Sequence, residues 1–260
     1  MSWASRRRAI YLLGILLFFT LVIGGPVAYH FLTVPPTCFD GKQDGGETGV
    51  DMGGPCLKLD PRTLQPVTIL WTRSFKVRDG TYTAVALINN PNHDAGVTLV
   101  HYTFSLYDPS NILVTTRDGS TFIMPGAVTP VIESRVDTGN RVVAHTYFDL
   151  TEAPQWERMT DIEPLLSVSN KQLSDITTEP RLSAGVQNTA VTDAIAPAFA
   201  AVIYDSAGNA FAASETQLDR LNSGASNTIV FTWPSPFPAQ ASRIDILPLL
   251  PPVAALSTGQ

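Results

Sequence analysis

Slid along itself by 97–98 residues, the chain meets its own pattern again. Pro66 falls on Pro164, Asn90 on Asn188, Gly126 on Gly224 and Val131 on Ile229, and the pair Tyr107-Asp108 falls on Tyr204-Asp205. FSLYDPSNILV and AVIYDSAGNAF each read as a strand that ends in Tyr-Asp, a short turn, and the start of the next strand. Aspartate at the head of such a turn bonds its own backbone, and Pro109 or Gly208 supplies the turn dihedrals. A period of this length is too long for a solenoid repeat and fits a small domain with its own core. Between the turns lie short runs rich in Val, Ile, Thr, Tyr and Phe, such as TYTAVALI, LVHYTFSLY and RVVAHTYFDL. These are strand-length segments at the spacing of an antiparallel sandwich. With 20 prolines and 18 glycines, long helices are excluded beyond the first 35 or so residues. The expectation is a mainly β chain with one sandwich over 63–151 and a second over 160–250. A linker near 151–161 joins them, and the end of the chain, 251–260, frays. Trp71 and Trp233 lie on strand patterns and are expected in cores. Trp156 is either a wedge between the domains or the start of the second core.

The one segment outside this pattern is Ile10–Leu32, 23 residues without Asp, Glu, Lys or Arg. As a helix it spans roughly 34 Å, enough for a bilayer core of about 30 Å. Arg6, Arg7 and Arg8 precede it, and basic residues beside a first span stay on the cytoplasmic side. The expectation is a cytoplasmic tail over 1–9, a transmembrane helix over 10–32 in contact with the lipid bilayer, and the rest of the chain outside. The competing reading is a cleaved signal peptide ending near Ala28, against which stand the length of the apolar run and Pro26 at the −3 position. No second apolar run of this length follows, so a multi-span protein is excluded. The net charge is −6, and setting aside the +3 of the arginines leaves −9 for the remainder. A nucleic-acid partner needs a basic face and is not expected.

Beyond the apolar run lie the only cysteines, Cys38 and Cys56. In an oxidising compartment they read as a disulfide closing a 19-residue loop, worth roughly 3 kcal/mol in the chain-entropy account. The loop holds six glycines, three aspartates and one glutamate and cannot build an apolar core. Asp40, Asp44, Glu47 and Asp51 recur every three or four residues, which offers oxygens to a hard cation such as calcium. The EF-hand spacing is missing. The run resembles the short motif C-x-D-G-x-x-[ND]-x-x-E-[TS]-x-[VI]-D-C-G-G-x-C of bacterial surface proteins. Cys38, Asp40, Gly41, Asp44, Glu47, Thr48, Val50, Asp51, Gly53, Gly54 and Cys56 fall in register, while Met52 stands where that motif has its middle cysteine. Two readings stay open: a calcium loop, and a disulfide-pinned acidic spacer over 33–62.

Phe104, Leu106, Tyr107 and Asp108 spell F-x-L-Y-D and resemble the signature of the FxLYD domain of bacterial extracytoplasmic proteins. The resemblance implies an immunoglobulin-like β-sandwich. Asn89-Asn90-Pro91 is similar to that family's strand end before a loop. The second unit keeps Tyr204 and Asp205 but has Ala201 where the phenylalanine would stand. The fold class expected is therefore two tandem immunoglobulin-like antiparallel β-sandwiches behind one transmembrane helix.

The four histidines, His30, His93, His101 and His145, form no zinc-ligand spacing. The chain has no G-x-S-x-G, no phosphate loop and no dinucleotide fingerprint. The expectation is therefore no enzyme but a structural or interaction protein of a bacterial envelope with a protein partner; free sandwich edges leave a homo-oligomer open. The alternative is a module binding calcium or a glycan, the latter with Trp156 and Tyr82 as the available aromatics.

Overall fold

The structure, a computed structural model, describes residues 3–33, 37–159 and 166–253. Pro164, part of the linker over 160–165 and the last seven residues of the expected tail lie outside them, as do Met1, Ser2 and 34–36 of the spacer. By contacts the chain divides at Pro55/Cys56 into an N-terminal unit and a β unit.

The N-terminal unit opens with helices α1 (Trp3–Phe19) and α2 (Gly25–Thr33), joined by a π turn at Thr20–Gly24. The turn falls just before Pro26, which brings no N–H and crowds the carbonyl four residues back. Thr20 Oγ1 donates to the Leu16 carbonyl at 2.9 Å. Past Arg6–Arg8 the rod is apolar on all sides as far as Tyr29, and none of it is buried in protein.

Among its described residues the β unit holds fifteen strands: β1 (Thr68–Arg78), β2 (Thr81–Asn89), β3 (Ala95–Tyr107), β4 (Leu113–Ile123), β5 (Val128–Asp137), β6 (His145–Leu150), β7 (Glu157–Arg158), β8 (Leu166–Ser174), β9 (Arg181–Asn188), β10 (Ala194–Ile195), β11 (Ala198–Tyr204), β12 (Ala210–Gln217), β13 (Arg220–Leu221), β14 (Ser226–Thr232) and β15 (Arg243–Leu249). They form two immunoglobulin-like antiparallel β-sandwiches. In the first, sheet β1-β2-β5 faces sheet β4-β3-β6; in the second, β12-β11-β15 faces β14-β9-β8, with β10 and β13 as a separate pair. Within the first core Tyr102, Phe104 and Phe148 pack ring against ring at 4.9–5.6 Å. The second core gathers Phe199, Ile203, Phe231 and Trp233.

The repeat is visible in the registers. Ser105 opposes Thr116, and 97 residues on Val202 opposes Ala213. Leu87 opposes Trp71, and 98 residues on Gly185 opposes Ser169. Both Tyr-Asp strands carry a register shift at the same place, Leu106/Tyr107 and Ile203/Tyr204.

The first sandwich reaches beyond 63–151. Leu59 N–H bonds the Trp156 carbonyl at 2.8 Å, Arg158 N–H bonds the Leu57 carbonyl at 2.7 Å, and β7 pairs with β3. Leu59 and Trp156 both enter the first core. Residues 57–62, expected in the spacer, and 152–159, expected in the linker, thus close the end of this sandwich. Trp156 belongs to the first core and is not the start of the second. Tyr82 is also buried, so neither aromatic named for a glycan is open to one. At the far end Pro252 is buried, so the chain is packed to that point.

The two sandwiches are not beads on a string. Val85 and Leu87 of β2 turn away from their own core and meet Val202 and Tyr204 of β11 in a third apolar cluster. Ala210 and Ala213 complete it, with Trp71, Phe75, Val128, Ile132 and Leu247 around them. The Trp71 and Tyr204 rings stand edge to face at 6.5 Å. Arg73 donates to the Ala210 carbonyl at 3.0 Å, and Ser235 Oγ donates to the Val77 carbonyl at 2.9 Å. Fully burying a Val or Leu contributes roughly 1.5–3 kcal/mol. Three such residues, Val85, Leu87 and Val202, contribute roughly 4.5–9 kcal/mol to the seam before ordering costs. Four sheets therefore stack, and the strands on either side of the seam, β2 and β11, are buried on both faces.

Candidate functional site

Three places concentrate polar or exposed groups: the acidic loop, the Tyr-Asp turns, and the outer face of the first sandwich. In the loop, Cys38 and Cys56 are disulfide-bonded. The carboxylates turn onto the loop's own backbone. Asp51 accepts from Gly41 N–H at 3.0 and 3.1 Å, and Asp40 accepts from Lys42 N–H at 2.9 Å. Glu47 is buried and accepts from the N–H groups of Asp51 and Asp44 at 3.2 and 3.4 Å. Asp44 is exposed, and its carbonyl takes Glu47 N–H at 2.8 Å. Carboxylates thus bond the loop's own amides, while its apolar Phe39 and Val50 stay exposed. Among the described residues no three of these four carboxylates bring oxygens within 4.8 Å of one another. Gly53 and Gly54 are fixed by crowding: a Cβ on Gly53 would fall 2.0 Å from Thr48 Oγ1, and one on Gly54 2.3 Å from the Gly46 carbonyl.

Asp108 and Asp205 do the same work twice. Asp108 Oδ1 accepts from the N–H of Ser110 and of Ile112, each at 2.9 Å. Asp205 Oδ1 accepts from Ala207 at 2.9 Å and Asn209 at 2.8 Å. Asn111 at φ 61° and Gly208 at φ 81° take the left-handed position of the two turns. Each turn has an arginine. Arg141 Nη2 bonds Asp108 Oδ2 at 2.7 Å, whereas Arg73 reaches the Asp205 turn across the seam. Phe104 and Leu106 point into the core, while Tyr107 lies half-buried on the outer face. Tyr204 is buried at the seam beneath the Arg243 guanidinium, 3.8 Å from its ring.

The Ile112 N–H, followed by Arg141, holds the Asp108 carboxyl below the usual carboxylate range, and the Asn209 N–H does the same for Asp205. Both groups therefore bind protons more weakly folded than unfolded. Their contribution is full above the unfolded value of about 3.9 and is lost as pH falls through the lower folded value. Melting temperature is expected to drop on acidification from about pH 5 to about pH 3. The drop is expected to be shallower in Asp108→Asn/Asp205→Asn, which keeps the accepting oxygen but not the charge. Melts across that range check this, and equal slopes would contradict it.

Sequence reasoning did not foresee the role of two buried asparagines. Asn90 Nδ2 donates to the Ala95 and Met124 carbonyls at 2.7 and 2.9 Å, and its Oδ1 accepts from Asn92 N–H at 3.0 Å. Asn188 Nδ2 donates to the Thr192 and Leu221 carbonyls, both at 2.9 Å, and its Oδ1 accepts from Ala190 N–H at 3.0 Å. Each clasps one end of its sandwich. Their coincidence in the repeat was the available signal.

On the outer sheet of the first sandwich, β3 alternates buried Tyr102, Phe104 and Leu106 with outward His101, Thr103, Ser105 and Tyr107. Tyr147 is 53% exposed, and its ring stands edge to face with Tyr107 at 5.5 Å. Thr103 Oγ1 donates to Asp118 Oδ1 at 2.5 Å. Glu152 accepts from His101 N–H at 3.3 Å. Sequence reasoning gave Tyr147 no role beyond its place in a strand pattern.

No family model matches the chain, and no curated protein does either. Among solved structures it is similar to a red sea bream transglutaminase at 10% identity and TM-score 0.24, over 72% of this chain and 30% of that one. It is also similar to a Bacteroides uniformis beta-glucuronidase at 14% identity and TM-score 0.20, over 68% and 22%. A CBM22 tandem domain from Paenibacillus barcinonensis Xyn10C follows at 9% identity and TM-score 0.17, over 73% and 91%. The chain spans less than a third of the first two proteins' lengths.

Proposed function

We propose that this is a membrane-anchored, extracytoplasmic structural or interaction protein of a bacterial envelope that holds a rigid pair of sandwiches toward a protein partner. The observation that carries the reading is the helical span that follows Arg6–Arg8 and runs to Tyr29, apolar on every side and covered by none of the described residues. A helix apolar all round belongs in a protein core or a bilayer. Tyr11 and Tyr29 sit about 27 Å apart along it, the spacing of two aromatic belts, with Arg6–Arg8 beyond the first. On this reading the N-terminus is cytoplasmic and the disulfide forms outside. The Phe104–Asp108 run supports an FxLYD-type first domain, and the acidic loop serves as a pinned spacer. The role is presentation rather than catalysis.

The test is alkaline carbonate extraction of membranes carrying the full chain, with protease added to intact cells stripped of their wall. The full-length chain is expected in the pellet, with its sandwiches digested from outside. Release of a shortened chain beginning near Tyr29 would overturn the anchor.

A further inference from the structure

The four-layer stack joins unlike faces. Sheet β1-β2-β5 of the first sandwich packs on β12-β11-β15, which the repeat equates with β4-β3-β6. Each kind of face therefore occurs once buried and once wet. On the wet face of the second sandwich the seam residues Val85, Leu87 and Val128 are replaced by Ser183, Gly185 and Ser226. That is what a face with no partner requires: small polar groups. The wet face of the first sandwich has exchanged two aliphatics for hydroxyls, Ser105 where its counterpart has Val202 and Thr116 where it has Ala213, and it carries Leu113 opposite Tyr107 where its counterpart has Ala210. Yet it keeps Tyr107 and adds Tyr147, and it sets Asp118 and Asp149 on either side of Thr103.

Resting on the presentation reading above, we propose that the outer face of β4-β3-β6 binds a glycan that carries no carboxylate or phosphate. Exposed tyrosine rings pack against the C–H face of a pyranose while their hydroxyls stay wet. Carboxylates accept from sugar hydroxyls, and the hydroxyls of Ser105 and Thr116 both give and accept. Charge selects the class. The nearby arginines are committed elsewhere, Arg117 to Glu133 and Arg141 to Asp108. The face then presents Asp118, Asp149 and Glu152 without a cation other than a protonated histidine, so it repels anionic polymers and accepts neutral or amine-bearing sugars. A protein partner would draw on an apolar centre with arginine anchors, whereas the apolar side chain this face offers beside Tyr107 is Leu113, 45% exposed, and Ile112 lies beyond the sheet at the turn.

The probes are hexamers of β-1,4-linked glucose, N-acetylglucosamine and glucosamine, with a galacturonic acid hexamer as the acidic control. Each is titrated calorimetrically into the full chain in a detergent without a sugar headgroup. At least one of the first three is expected to bind and the acidic hexamer is not. Affinity is expected to fall roughly tenfold or more in Tyr147→Ala, a surface change that spares the core, and to persist in Ile112→Ser. Failure of all three to bind, binding unchanged in Tyr147→Ala, or loss in Ile112→Ser alone overturns the proposal, the last pointing to an apolar protein contact. Carbonate extraction of the same preparation separates the two readings: a chain that stays in the membrane but binds no probe overturns only the glycan.

Discussion

Val85→Asp is expected to split one unfolding transition into two. Val85 and Val202 are fully buried, yet Val85 faces the seam while its neighbours Ala84 and Ala86 face the first core. The substitution therefore spares both sandwich cores and places a carboxylate in the apolar seam, where its cross-strand neighbour Arg73 is already bonded to the Ala210 carbonyl. Desolvating a charge there costs several kcal/mol, which an ion pair offsets only in part, and this is of the same order as the seam's own contribution. Calorimetry of the parent should show the sandwiches melting together. The variant should show two smaller endotherms, with Val85→Ala in between. A single unshifted endotherm in Val85→Asp would mean that the seam does not couple the domains.

The second large effect is expected at the asparagine clasps. Asn188→Ala removes a fully buried side chain that satisfies three backbone groups, the Thr192 and Leu221 carbonyls and the Ala190 N–H. Each orphaned buried group costs about 1–3 kcal/mol, so a loss of about 3 kcal/mol is expected, or roughly 6–12 °C for a β unit of this size. Asn90→Ala should match it, because the two sites carry the same bonds 98 residues apart. Chemical denaturation of each single variant tests this. A change below about 0.5 kcal/mol, as at an ordinary surface position, would show that the clasp is not structural.

Much of the fold was legible because the repeat preserved the groups that shape the backbone. Asp108 and Asp205 head their turns by local bonds, and local bonds leave a sequence signature. The seam left a fainter one. TYTAVALI has no polar alternation because β2 is buried on both faces, and an unbroken apolar run does not say what covers its second side. Trp156 was ambiguous for a related reason: its partner Leu59 lies almost a hundred residues away in sequence, in a segment that reads as spacer. The outer-face tyrosines, half-buried Tyr107 and exposed Tyr147, were illegible singly. Tyr147 sits in a strand pattern like any other, and only the pairing of β3 with β6 brings it beside Tyr107. In the acidic loop the residue types were plain, but whether carboxylates face a cation or their own amides depends on backbone turns that glycine leaves open.

The head-to-tail seam also means that the two halves of the ectodomain do not commute. Had the chain been written in the other order, Ser183 and Gly185 would be pressed against a tyrosine-bearing sheet, and Val85, Leu87 and Trp71 would look out on water. The two units share one design, yet each is fitted to its own side of the seam: β2 presents aliphatics to it, while the matching positions of β9 present Ser183 and Gly185 to water.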